Sequence, residues 1–79
     1  MIKALFFGPV ADMVGQREID VDYPSGATLG QLREDLSTRY PQAFALVAFV
    51  ALNGKQERDL SRRLTDGDEI AFMAKFSGG

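Results

Sequence analysis

Only one stretch of this chain carries an apolar stripe of helix length. Leu29, Leu32, Leu36 and Tyr40 recur at helical spacing, with Arg33, Glu34, Asp35, Ser37 and Arg39 covering the other side. Thr28 opens the stretch as an N-cap, and Gln31, three residues later, is placed to reach back in a capping box. Pro41 closes it, because the proline ring disfavours helical geometry in the preceding residue. A lone amphipathic helix must bury its stripe against another layer, and the flanking segments identify that layer as a sheet.

Ile2 to Phe7 is apolar except for Lys3 and stops at Gly8-Pro9, the pattern of a first strand. Period two separates Ile2, Ala4 and Phe6 from Lys3, Leu5 and Phe7, so one face packs on a core and the other meets solvent or a partner. Pro9 to Val14 is expected to form a short helical insert, with Pro9 early and Gly15 as terminator. Arg17 to Tyr23 alternates Ile19, Val21 and Tyr23 with Glu18, Asp20 and Asp22. That is a half-buried second strand, antiparallel to the first because their connection is short.

After the helix the chain is almost wholly apolar from Phe44 to Leu52, with an inner strand expected near Ala48 to Leu52. Asn53-Gly54 is a two-residue hairpin signal, and Lys55-Gln56 begins the return. Leu60 and Leu64 are expected to anchor the irregular connection that follows. Thr65-Asp66-Gly67-Asp68 reads as a turn and Glu69 to Ala74 as the last strand, with Ile70 and Phe72 on one face and Ala71 and Met73 on the other. The aspartates around Gly67 lack the ligand series and closing glutamate of a helix-loop-helix calcium site. The expected architecture is a two-layer α+β sandwich.

Composition narrows the chemistry. Seventy-nine residues make one domain, of a size that buries about 60–65% of the surface its unfolded chain exposes. The chain has no cysteine and no histidine, which removes thiol nucleophiles, thiolate metal sites and the usual neutral-pH general base. A net charge of −2 argues against nucleic acid, which demands a clustered basic face. Arg58, Arg62 and Arg63 are the one local concentration of positive charge, and Glu57 and Asp59 sit among them. The longest apolar run, Ala43 to Leu52, is too short to span a bilayer, and the opening residues lack a secretory cleavage site. A cytoplasmic location without membrane association is therefore expected.

With side-chain catalysis disfavoured, the Ser77-Gly78-Gly79 end draws attention. Two residues without Cβ let the last peptide planes pass a channel closed to any side chain, so the Gly79 carboxylate is the candidate reactive group. The plain alternative is a frayed, solvated terminus.

Several segments resemble a known family. Ile2-Lys3-Ala4-Leu5-Phe6-Phe7-Gly8, Val14-Gly15, the block from Leu64 to Phe72 and the final Gly78-Gly79 are similar to the small, sulfur-carrying subunit of molybdopterin synthase. The resemblance implies a ubiquitin-like β-grasp fold over residues 1–74: a mixed sheet of four to five strands, with one long helix packed on one face. Residues 75–79 would be an extended tail. It also implies a covalent carrier for molybdenum cofactor biosynthesis, not a catalyst, with no cofactor bound. A ubiquitin-activating-like adenylyltransferase would use ATP to adenylate Gly79, which then becomes a thiocarboxylate. The sulfur would pass to the cyclic pyranopterin monophosphate precursor inside the large catalytic subunit, in a heterotetrameric synthase.

Lys75, Phe76, Ser77 and Gly78 would enter that subunit, reaching roughly 16–17 Å past the last strand when extended. Leu5, Phe7 and Met73 are the candidate partner interface, an apolar patch with a charged margin. Two departures from the family pattern stand out: Ala74-Lys75-Phe76-Ser77 replaces the usual prolines before the glycines, and Ala11-Asp12 replaces an Arg-Glu pair. The readings left open are a sulfur carrier for thiamine thiazole or cysteine synthesis, a ubiquitin-like protein modifier and a plain interaction module.

Overall fold

A computed structural model describes residues 1–75. Its elements run β1 (Ile2–Phe6), α1 (Pro9–Val14), β2 (Glu18–Val21), α2 (Leu29–Arg39), α3 (Pro41–Phe44), β3 (Val47–Leu52), β4 (Lys55–Gln56) and β5 (Glu69–Ala74). The five strands form one sheet in the order β2-β1-β5-β3-β4. β1 and β5 lie parallel at its centre, with Ala4 beside Ile70 and Phe6 beside Phe72, and every other pairing is antiparallel. Parallel neighbours demand a crossover, and the segment carrying α2 is part of it.

The capping box at α2 is complete. The Gln31 N–H donates to Thr28 Oγ1 at 3.2 Å and the Thr28 N–H donates to Gln31 Oε1 at 2.8 Å. Leu29, Leu32 and Leu36 are fully buried, and each such leucine stabilises the fold by roughly 1.5–3 kcal/mol relative to exposure. They meet a sheet face made of Ile2, Ala4, Phe6, Val50, Leu52, Ile70 and Phe72. Phe72 stacks on Phe6 with centroids 6.0 Å apart and tilts against Phe44 at 4.9 Å.

Phe44 reaches that cluster from α3, an element absent from the sequence reading. Pro41 ends α2 as expected but also occupies the first turn of α3, where its missing N–H leaves no bond unmade. The inner strand consequently begins at Val47. It carries a register shift between Val47, opposite Ala74, and Phe49, opposite Met73. The extra residue, Ala48, resets the alternation, so Val47 and Val50 both point into the core and Phe49 points away.

The connection from β4 to β5 is held by Leu64, which is buried, whereas Leu60 is 45% exposed and contributes its backbone, accepting the Gly30 N–H at 2.8 Å. The arginines here serve the loop: Arg62 pairs with Glu57 at 3.3 Å and Arg63 donates to the Gly26 carbonyl at 3.0 Å. Asp68 accepts from the Thr65 N–H at 2.8 Å and from the Asn53 amide at 3.0 Å. Asn53 and Gly54 both have positive φ, the requirement of a tight hairpin that follows the sheet twist. The Asn53 side chain also accepts the Glu69 N–H at 2.9 Å, which ties the hairpin to β5. These aspartate contacts are turn chemistry, and among the described residues no group of three or more metal-ligating side chains converges. No described helix is long and apolar enough to cross a membrane.

Candidate functional site

The helices stack on one face of the sheet, and the opposite face is built by the alternate residues of the same strands. The register sets Leu5 beside Ala71, Ala71 beside Ala51 and Met73 beside Phe49. Lys3, Glu18, Asp20 and Glu69 edge this apolar band, with Lys3 Nζ 3.4 Å from Glu18. The hydrogen bond that the Lys3 ammonium donates to Glu18, and then the Glu18 charge, holds that ammonium above its ordinary pKa.

At the end where β5 stops, Phe7 and Met73 line a small cavity of about 160 Å³ with Gly8, Pro9, Ala74 and Lys75. Its wall depends on Gly8, whose φ of 55° lies in the left-handed region that favours glycine. This bend lets Pro9 turn the chain into α1 while leaving Phe7 half exposed beside the end of β5. Lys75 is exposed at the cavity's rim, so whatever follows it starts from the centre of the sheet and next to an apolar recess.

All three side chains expected at the interface are on this side of the molecule: Leu5 and Met73 partly buried, Phe7 exposed. Phe76, Ser77, Gly78 and Gly79 lie outside the described residues. Sequence reasoning missed Phe49, which is 37% exposed, and its neighbour Ala51. Within the continuous apolar run of residues 43–52 no alternation marks an outer face. The bulge at Ala48 would have misled any period-two count begun at Val47.

Among the described residues, the apolar band of Leu5, Phe49, Ala51, Ala71 and Met73 carries no titratable side chain. The arrangement is an apolar band with the exposed Lys75 near its margin, and the comparisons with known proteins bear on its use. The sequence profile of the ThiS family matches residues 4–79. The chain belongs to the ThiS family.

The molybdopterin synthase sulfur carrier subunit of Escherichia coli K12 is 35% identical to it over 81 aligned positions, covering all of both chains. Among solved structures, SAMP1 of Haloferax volcanii superposes with a TM-score of 0.82 at 26% identity, covering 99% of this chain and 98% of that one. Subunits 1 and 2 of molybdopterin-converting factor from Helicobacter pylori have been solved as a complex. A chain of that complex matches with a TM-score of 0.74 at 25% identity, covering 99% of this ThiS-family chain and 97% of its own. The fold is the ubiquitin-like β-grasp expected from the sequence. Its sheet has five strands, and α2 is accompanied by two short helices, α1 and α3.

Proposed function

We propose that this chain is a sulfur carrier for molybdenum cofactor biosynthesis, acting in the cytoplasm as the small subunit of a molybdopterin synthase. The likeness along its whole length to the Escherichia coli sulfur carrier subunit carries the reading. The geometry agrees with it, since β5 leads Lys75 out beside an apolar face rimmed by charge.

In this proposal the Gly79 carboxylate attacks the α-phosphorus of ATP on an adenylyltransferase, pyrophosphate leaves, and a sulfur nucleophile then displaces AMP to leave a thiocarboxylate. The large subunit binds Leu5, Phe7, Met73 and Phe49 while Lys75 to Gly78 occupy its channel, and all acid–base groups come from the partners. The thiocarboxylate sulfur bonds to the cyclic pyranopterin monophosphate, and water then cleaves the resulting acyl C–S bond, leaving the sulfur on the pterin and returning Gly79 to a carboxylate. The chain itself is a substrate-like carrier and binds no cofactor.

A second reading, a ubiquitin-like protein modifier, is favoured by the likeness to SAMP1, a small archaeal modifier protein. The two separate on one sample. Under the carrier reading, mass spectrometry of protein from cells finds one oxygen-for-sulfur exchange on Gly79. Removing Gly79 or adding one residue after it abolishes molybdopterin formation with the large subunit and leaves the melting temperature unchanged. Lysine-linked conjugates with an unexchanged Gly79 would instead favour the modifier, and thiocarboxylated protein that fails with an active large subunit would overturn the leading reading.

A further inference from the structure

The two edges of the sheet are unlike. At the far edge β4 is only two residues long, and beyond it the Glu57 N–H closes on the Val50 carbonyl at 2.9 Å. At the near edge, among the described residues, β2 has no neighbour on its outer side. Its register shows which groups are open. The Phe6 N–H donates to the Arg17 carbonyl at 2.8 Å, and Glu18 faces Leu5 while Asp20 faces Lys3. Antiparallel pairs alternate between bonded and non-bonded, so the Glu18 and Asp20 backbone N–H and C=O groups point outward, away from β1. A strand edge with outward-pointing donors and acceptors is a template for another strand.

Side chains around that edge define what it accepts. Glu18 and Asp20 project onto the helix-free face, whereas Ile19 and Val21 lean toward α2 and pack partly against the core. Between β2 and α2 runs a groove of about 410 Å³, lined by Val21, Tyr23, Leu32 and Leu36 and bordered by Asp22 and Asp35. Its one cation is Arg39, whose guanidinium lies 5.5 Å from the Tyr40 ring centroid, and Tyr23 is tethered to Asp35 by a 2.9 Å hydrogen bond. An incoming strand would therefore alternate, with apolar residues over the groove and cations against Glu18 and Asp20. A second copy of this chain would bring the same acidic edge, and like charges set directly opposite disfavour it.

We propose that the outer edge of β2, with the groove between β2 and α2, takes an extended basic strand of a partner protein by strand addition. Glu18 and Asp20 also rim the helix-free apolar face, so a strand held here borders that face along its acidic edge.

The test is a ¹H–¹⁵N titration of the full chain with the peptide Lys-Val-Lys-Val-Lys-Val and its charge-reversed counterpart Glu-Val-Glu-Val-Glu-Val. The basic peptide is expected to shift resonances of residues 18–23 and 32–39 saturably, weakening as salt is added, with the acidic peptide about tenfold weaker or more. Asp20→Pro removes an outward N–H without touching the β1 ladder and is expected to abolish the binding. Should that variant not fold, Asp20→Lys keeps the backbone and is expected to favour the acidic peptide. Equal binding of the two peptides, binding of neither, undiminished binding by Asp20→Pro, or shifts confined to residues 5, 49, 71 and 73 would each overturn the proposal.

Discussion

Phe6 and Phe7 are neighbours in sequence and opposites in the fold, and truncating each in turn separates stability from docking. Phe6 is 2% exposed and meets the rings of Tyr40, Phe44 and Phe72 at 6.4, 6.3 and 6.0 Å. Phe6→Ala removes a buried ring and leaves a cavity that the surrounding aromatic cluster cannot close, at a cost of about 3–5 kcal/mol. For a domain this small, each kcal/mol lowers Tm by about 4–8 °C, so a loss of roughly 12–40 °C is expected.

Phe7 is 50% exposed and borders an open recess, so only half of its surface is covered and no enclosed cavity results. Phe7→Ala should cost about 1 kcal/mol, a shift on the order of 5 °C. Its effect belongs to the complex. As an aromatic anchor it should contribute about 2 kcal/mol to binding the large synthase subunit, roughly thirtyfold in Kd. Thermal unfolding by circular dichroism and titration calorimetry with the large subunit read the two quantities separately. If Phe6→Ala fails to fold, Phe6→Leu keeps most of the burial and should still lose more stability than Phe7→Ala. Equal Tm losses at the two positions, or an unaltered Kd for Phe7→Ala, would refute the assignment of the two faces.

Two further outcomes concern the loop that supports β5. At Gly30 a Cβ would lie 3.1 Å from the Leu60 carbonyl oxygen, which the Gly30 N–H holds in place. Gly30→Ala should therefore lose about 1 kcal/mol net despite alanine's helix preference, and a raised urea midpoint would contradict the packing described. At Asp68, partial burial pushes the carboxyl pKa up, but the bonds from the Thr65 N–H, the Asn53 amide and the Thr65 hydroxyl outweigh it and hold the pKa below 3.8. The stabilisation is thus present above 3.8 and lost as pH falls through the lowered folded value. Asp68→Ala should cost about 1–2 kcal/mol at neutral pH, with the gap to the parent closing in acid. A gap independent of pH in urea denaturation would show that the aspartate is not acting through its charge.

Local chemistry was legible in the sequence because it depends on near neighbours. The capping box of Thr28 and Gln31, the Gly15 terminator, the Asn53-Gly54 hairpin and the alternation of Ile2 to Phe7 each involve residues a few positions apart, and all appear as expected. So does the fold class, since one helical stripe among short strands has few ways to bury itself. The missing cysteine and histidine are likewise read from the sequence alone, and with them the expectation that side-chain catalysis is disfavoured.

Tertiary structure decided what the unbroken apolar run from Ala43 to Leu52 conceals. Whether Phe44 belongs to a strand or to a helical turn, and whether Phe49 faces the core or the helix-free side, depends on α3 and on the bulge opposite Met73 and Ala74. Neither leaves a periodic mark, because both are settled by packing against residues about 25–40 positions away in the chain, Phe6 and Phe72 for the first and β5 for the second. The open edge of β2 was hidden for the same reason: a strand's pattern records which face is buried, and only the order of strands records which edge is left unpaired.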